Sequence, residues 1–126
     1  MMTKRLLTGI GAALAAALLL SPAAEATEVS AYTVGELLGP CIVGDNASGE
    51  GATSEMECEQ YMKGFTDAYI QSGAAKADRV CLPAQNRDDE VRWAFMRWAH
   101  EHYSDRNKIK ASDGLRDTLK ANFMCK

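Results

Sequence analysis

The spacing of four cysteines is the feature that most constrains what this chain can fold into. Cys41, Cys58, Cys81 and Cys125 are separated by 17, 23 and 44 residues, which is not the close spacing of a zinc site. In an oxidising compartment such cysteines form two disulfides, for which three pairings are possible. We favour Cys41 with Cys58 and Cys81 with Cys125, because this pairing places one clasp at each end of the chain.

The first 26 residues have the pattern of a cleaved secretory signal peptide. Lys4 and Arg5 precede an apolar stretch over 6–20, and Ala24 and Ala26 supply the small side chains that a cleavage site requires. As a helix, the apolar stretch would reach only about 22 Å, less than the roughly 30 Å of a membrane core. We therefore expect cleavage after Ala26, no stable membrane anchor, and an exported protein.

The mature part, residues 27–126, has the usual size of a single domain. The whole chain carries a net charge of −3, and the mature part retains 12 basic and 16 acidic residues. An acidic surface repels the phosphates of DNA and RNA. Nucleic acid is therefore excluded as an expected partner.

Helix signals dominate the mature sequence. Thr33 and Glu36 have capping-box spacing and predict a short first helix that ends at Gly39-Pro40. The Gly- and Asn-rich stretch 42–52 predicts an exposed loop. Ser54 starts a second capping box, and the apolar face that follows predicts a second helix over about 54–72, with Gly73 as its stop.

Two further helices complete the prediction of an all-α bundle of about four helices stapled by two disulfides. The acidic run 88–90 favours a helix start, and a third helix follows whose predicted inner face holds Val91, Ala94, Phe95, Trp98, Ala99 and His102. Ser112 or Asp113 is the predicted cap of a fourth helix that ends near Cys125. On this helix, Leu115, Leu119, Asn122 and Phe123 share one side.

Several motifs, in their order and spacing, carry a family resemblance. The segment Cys58-x-x-Tyr61-x-x-Gly64-x-x-Asp67-Ala68 is followed by Cys81-Leu82-Pro83, an amphipathic helix ending near a histidine, and Phe123-Met124-Cys125. This pattern resembles the Rap/Tai family of periplasmic immunity proteins, which protect bacteria against type VI secretion amidase toxins. The chain departs from that pattern at Tyr103 and Met124, where the family has proline, and these changes bear on local turns.

The resemblance implies an all-α protein that binds a toxin, such as a peptidoglycan amidase, and occludes its active site. It also implies a homodimer. It implies neither catalysis nor a cofactor.

The outer face of the third helix is the candidate partner-binding surface. Trp93, Met96 and His100 are predicted to fall together opposite the buried face, flanked by Arg92 and Arg97. Tryptophan, methionine and arginine are enriched at binding surfaces. The alternative is that a loop or the first helix covers Trp93 within the monomer.

Charge is expected to add complementarity to this surface. Its candidate sources are the polar loop over 42–52 and the acidic residues Asp88, Asp89 and Glu90. The alternatives are a mere connector for the loop and dipole-stabilising surface charges for the acids.

The sequence contains no pattern that predicts an enzyme. His100 and His102 point in different directions on a helix, so they cannot share a metal, and we expect His102 to be a half-buried, hydrogen-bonded residue. Ser54 and Ser112 are better explained as helix caps than as nucleophiles. We therefore predict a binding protein without a cofactor or metal. The alternative function is a small periplasmic acid-stress or folding chaperone, since 16 acidic groups can take up protons on acidification.

Overall fold

A computed structural model describes residues 28–45 and 51–126 of the chain. The described residues form an all-α bundle and contain no strand longer than an isolated bridge. The predicted signal peptide and residues 46–50 lie outside the described part. Four longer helices and one of four residues follow one another: α1 (Val34–Asp45), α2 (Gly51–Gln71), α3 (Ala74–Ala77), α4 (Arg87–Glu101) and α5 (Ala111–Asn122).

Helix α1 begins as predicted and ends later than predicted. The Glu36 carboxylate accepts a hydrogen bond from the Thr33 amide at 2.7 Å, and the Thr33 hydroxyl accepts one from the Glu36 amide, which together form a capping box. The predicted stop at Gly39-Pro40 is wrong, because the helix continues through Pro40 to Asp45. Proline leaves the Glu36 carbonyl without its helical donor. The Tyr32 hydroxyl lies 3.1 Å from that carbonyl and can donate to it.

The predicted loop over 42–52 is mostly replaced by helix in the part that the structure describes. Residues 42–45 extend α1, and α2 starts at Gly51 rather than Ser54, which therefore lies inside the helix and is not its cap. The two helices are close here, since a Cβ on Gly44 would lie only 2.7 Å from the Cα of Glu55. Glycine permits this approach because it carries no side chain.

The predicted core faces of α2 and α4 are confirmed, except that His102 is exposed and does not belong to the inner face of α4. Helix α2 buries Cys58, Met62 and Tyr69, while Tyr61 and Phe65 pack partly buried against them. The buried residues of α4 are Val91, Ala94, Phe95, Trp98 and Ala99. Helix α4 contacts α1, α2 and α5, so its apolar face lies at the centre of the bundle.

Helix α5 buries Leu115 and Leu119, as predicted, but it starts differently. Its N-cap is Lys110, and neither Ser112 nor Asp113 caps it. The start is held instead by backbone pairing, in which the Ala111 amide donates to the Tyr32 carbonyl at 2.8 Å and the Val34 amide donates to the Ile109 carbonyl at 2.9 Å. This pairing satisfies backbone groups that a capping side chain would otherwise serve.

The two disulfides pair Cys41 with Cys58 and Cys81 with Cys125, which confirms the favoured pairing. The first is buried between α1 and α2. The second joins the segment after α3 to the chain end, and Cys81 in it is exposed. The two joined segments are also paired by hydrogen bonds of 2.8 Å from the Cys81 amide to the Phe123 carbonyl and from the Cys125 amide to the Arg79 carbonyl.

Asp78 links α2, α3 and α5 through its carboxylate. It accepts two hydrogen bonds from the Arg116 guanidinium, at 2.6 and 2.8 Å, and one from the Tyr69 hydroxyl at 2.7 Å. The bonds from Arg116 and Tyr69 hold the pKa of Asp78 well below its ordinary value of 3.8. Burial and the bond to Asp78 raise the pKa of Tyr69 to about 12.

The Asp78 linkage predicts a pH-dependent stability. A folded-state pKa below the unfolded value stabilises the fold above pH 3.8, and this stabilisation is lost as the pH falls through the folded pKa. Asp78→Asn should therefore lower the Tm at pH 7 by roughly 4 to 8 °C. The gap between variant and wild type should shrink below a pH of about 4.

Thermal unfolding from pH 7 to pH 2 measures this gap. Asp117→Asn, at an exposed acid of α5, is the matched control and should leave the Tm nearly unchanged. A gap for Asp78→Asn that is equally large at every pH would contradict the prediction.

Candidate functional site

The outer side of α4 contributes to a groove between α1 and α4. Its volume is about 650 Å³. We call it the α1–α4 groove, and it is lined by Leu38, Ile42, Met96, Arg97, His100, Glu101 and Tyr103. The predicted residues Met96, Arg97 and His100 are thus brought together.

Four groove residues were not among the predicted site residues, and one of them, Glu101, is the last residue of α4. Leu38 and Ile42 come from α1, and they reach the groove because that helix continues past Pro40. Tyr103 comes from the 3₁₀ turn Tyr103–Asp105 that follows α4. The available signal was the apolar pair Ile42-Val43 directly after Cys41, which had been assigned to a polar loop.

The groove combines an apolar floor with a polar edge. Leu38 is 5 % exposed and Met96 is partly buried, whereas Ile42 and Tyr103 expose 45 % and 51 % of their surface. Arg97, His100 and Glu101 are exposed around them. Arg106 places its guanidinium 3.6 Å from the centroid of the Tyr103 ring, which orients that ring from the side of the turn.

Trp93 lies one helical turn before Met96 and Arg97 on α4, but it does not line the groove. Trp93 is 45 % exposed, whereas Trp98 on the inner face is 7 % exposed. The described residues therefore cover Trp93 only in part, which argues against the alternative that it is buried within the monomer. It extends the apolar outer face of α4 beyond the groove.

Arg92 does not flank the groove as predicted. Its side chain is only 11 % exposed and turns towards α2, where its guanidinium lies 3.6 Å from Glu55 and 3.9 Å from Glu59. Asp89 on α4 lies 3.6 Å away as well. These three carboxylates draw the cation to the α2 side of the helix.

The acidic residues at the start of α4 lie apart from the groove. Asp88 is paired with Arg87 at 2.9 Å and with Lys63 at 3.5 Å. Asp89 and Asp88 line a separate shallow depression on the α2 side. Glu90 is half-buried at the same end of α4.

The two histidines point in different directions, as predicted. His100 lies in the groove, whereas His102 stacks on Trp98 with the ring centroids 4.0 Å apart, and its Nδ1 lies 2.8 Å from the Trp98 carbonyl oxygen. His102 is hydrogen-bonded, as expected, but exposed rather than half-buried, because α4 ends at Glu101 and His102 leaves the helical path. In residues 28–45 and 51–126, no three histidine, cysteine or acidic side chains are grouped to hold a metal ion.

A second concavity was not predicted. It has a volume of about 560 Å³ and lies beside the exposed disulfide, and we call it the disulfide cleft. Apolar residues from the end of α2 and the segment around α3 form much of it, together with three cations; its lining is Ile70, Ala75, Lys76, Arg79, Val80, Cys81, Leu82, Pro83, Arg87 and Cys125.

Truncation of a side chain should cost much more stability on the inner face of α4 than on its outer face. Phe95→Ala removes a fully buried ring and should reduce the free energy of unfolding by about 3 to 5 kcal/mol. Trp93→Ala removes an exposed ring and should cost about 1 kcal/mol or less. Urea unfolding at high dilution measures both, and equal losses would show that Trp93 is part of the monomer core.

Comparison with known proteins places the chain in a family. No helix in the described ranges has both the length and the apolar composition that crossing a bilayer needs. No curated protein and no solved structure matches the chain. The model of the Rap1a immunity proteins matches residues 33–125, which include both disulfides, all five helices and the α1–α4 groove. The chain belongs to the Rap1a immunity protein family.

Proposed function

We propose that this chain is a type VI secretion immunity protein that binds a peptidoglycan amidase toxin in the periplasm and blocks access to its active site. The family supplies the general role. The observation that carries the proposal is the α1–α4 groove, where Ile42 and Tyr103 expose large apolar side chains to solvent next to the buried Leu38. The inhibitor acts by binding and is not an enzyme.

The composition of the groove suits a protein partner. Binding surfaces combine a desolvated apolar centre with a polar rim, and they are enriched in tyrosine, methionine and arginine. The groove contains one of each, Tyr103, Met96 and Arg97. His100 and Glu101 add a donor or acceptor and a negative charge at the edge.

The groove is also held in place before any partner arrives. The buried Cys41–Cys58 disulfide ties α1 to α2, and Phe95, which is fully buried, anchors α4 from the opposite side. Binding to a rigid surface loses less conformational entropy than binding to a mobile one. This favours tight occlusion of a cleft by a small protein.

The proposed compartment follows from the same chemistry. Peptidoglycan amidases act outside the inner membrane, and disulfides persist in the oxidising periplasm. The predicted signal peptide over 1–26 would deliver the chain there. Both disulfides contribute to the fold that presents the groove.

The proposal includes a homodimer, with Trp93 as its main contact. An exposed indole offers a large apolar area at modest entropic cost. Trp93 lies one turn from the groove, so a dimer formed there would leave Ile42 and Tyr103 available to the toxin. Asp88, Asp89 and Glu90 are proposed as a secondary contact of complementary charge.

Affinity for a purified type VI amidase effector from the same organism tests the groove. Ile42→Ala should weaken binding by at least roughly tenfold, as expected for an anchor residue. Ile70→Ala is the matched control, because Ile70 is 44 % exposed, nearly the same as Ile42, but lies in the disulfide cleft. It should change the affinity less than about twofold.

Calorimetric titration at pH 7 and at pH 4, together with amidase activity on peptidoglycan, provides the readouts. The proposal expects tight binding at pH 7 and loss of amidase activity at equal stoichiometry. Equal effects of the two isoleucine variants would disprove the role of the groove. Binding of unfolded clients that appears only at pH 4 would favour the acid-stress chaperone instead.

The oligomeric state has its own test. Sedimentation equilibrium of the mature chain should show a dimer, and Trp93→Ala should raise the dissociation constant by at least roughly tenfold. Met56→Ala, at a methionine of α2 that is 62 % exposed, is the control and should leave it unchanged. A monomer at millimolar concentration, or a dimer insensitive to Trp93→Ala, would contradict this part.

A further inference from the structure

Arg79 occupies a position where glycine is the usual residue. Helix α3 ends in a Schellman motif, in which the Val80 amide donates to the Ala75 carbonyl at 2.8 Å and the Arg79 amide donates to the Lys76 carbonyl at 3.2 Å. The residue after the C-cap must adopt a left-handed conformation, and Arg79 has a φ of 57°. Residues other than glycine are disfavoured in this left-handed conformation. A bulky, charged residue at such a position suggests that its side chain has a function other than forming the turn.

The Arg79 side chain lies at the disulfide cleft together with Lys76. Both residues are exposed, and neither forms an ion pair with any residue in the described ranges. Asp78, the acid between them, turns away to Arg116 and Tyr69. Arg87, the third cation of the cleft, is already paired with Asp67 and Asp88.

The cleft therefore combines apolar lining residues with two positive charges that have no ion-pair partner in the described ranges. Val80 is 7 % exposed and Ala75 8 %, while Ile70 opens 44 % of its surface to solvent. Leu82 and Pro83, which also line the cleft, are half-buried. Such a local excess of positive charge on a chain with a net charge of −3 is complementary to an anion.

We propose that the disulfide cleft binds a small amphiphile that consists of an aliphatic chain with one carboxylate head. Its volume of about 560 Å³ falls within the range of small-molecule sites. The chain would lie against Ile70, Val80 and Leu82. The carboxylate would sit between Lys76 and Arg79, where two charge-assisted hydrogen bonds are available. This site is separate from the α1–α4 groove and does not depend on its function.

Dodecanoate, below its critical micelle concentration, is the probe, and dodecyltrimethylammonium is the comparison with the same chain length and opposite charge. Calorimetric titration of the disulfide-bonded mature chain should show binding of dodecanoate, tighter than the cationic amphiphile by roughly tenfold or more. In NMR spectra, the methyl groups of Ile70 and Leu82 should shift, whereas that of Ile42 should not. Equal affinity for the two amphiphiles, or no binding of dodecanoate, would overturn the proposal.

Arg79→Gly separates a role of the Arg79 side chain in binding from a role in stabilising the fold. Glycine fits the left-handed position without strain, so the Tm should stay equal or rise, while the affinity for dodecanoate should fall by roughly fivefold. Lys76→Gln should reduce the affinity to a similar extent. Lys108→Gln, at an exposed cation paired with Asp105 in a distant turn, is the matched control and should have no effect.

A fall in Tm for Arg79→Gly would show that the arginine serves the fold and would overturn the proposal. So would unchanged affinity in both Arg79→Gly and Lys76→Gln. Shifts of the Ile42 methyl in place of Ile70 would place the amphiphile in the other groove and have the same consequence.

Discussion

The buried face of α4 is the contact on which the rest of the structure depends. Phe95 and Ala99 are fully buried and Val91 is 1 % exposed, and the helix that carries them packs against α1, α2 and α5. A helix fixed on one side by close packing cannot turn its other side freely. The outer residues, including Trp93 and Met96, therefore have defined positions. The candidate binding surface thus depends on the packing of the core.

The two disulfides serve the two ends of this arrangement differently. Cys41–Cys58 is buried and fixes α1 against α2, so it holds in place one of the two helices that form the α1–α4 groove. Cys81–Cys125 is partly exposed and closes the chain end over the segment after α3, next to the Asp78 linkage. Each clasp lies near one concave surface. The oxidising compartment that the cysteines require is thus also a condition for both surfaces.

The fold was predictable where one physical signal dominated. The 3.6-residue spacing of apolar residues identified the inner face of α4. The export context indicated disulfides, and the expectation of one clasp at each end of the chain selected the correct pairing. The end of α1 was not predictable from local rules, since the helix continues through Pro40 and packs against α2, to which the buried Cys41–Cys58 disulfide ties it. Only part of the groove was predicted, because Ile42 reaches it only if α1 continues past Pro40.

The position of Arg92 shows a second limit of reasoning from a helical wheel. The helical wheel placed Arg92 beside the outer face of α4, but Glu55 and Glu59 draw its guanidinium towards α2. Periodicity assigns a direction to the Cα–Cβ bond, while a long cation reaches the charges that tertiary structure provides. Such partners on another helix cannot be identified from the sequence of α4 alone.

Hydrogen–deuterium exchange of the mature chain, free and bound to its amidase toxin, tests the central claim most directly. The account predicts that binding slows exchange in the second half of α1 and from Met96 to Tyr103, the two segments that form the α1–α4 groove. It also predicts no change in α5, none of whose residues lines the groove. Protection confined to α5 or to the segment around α3, with the groove unchanged, would contradict it.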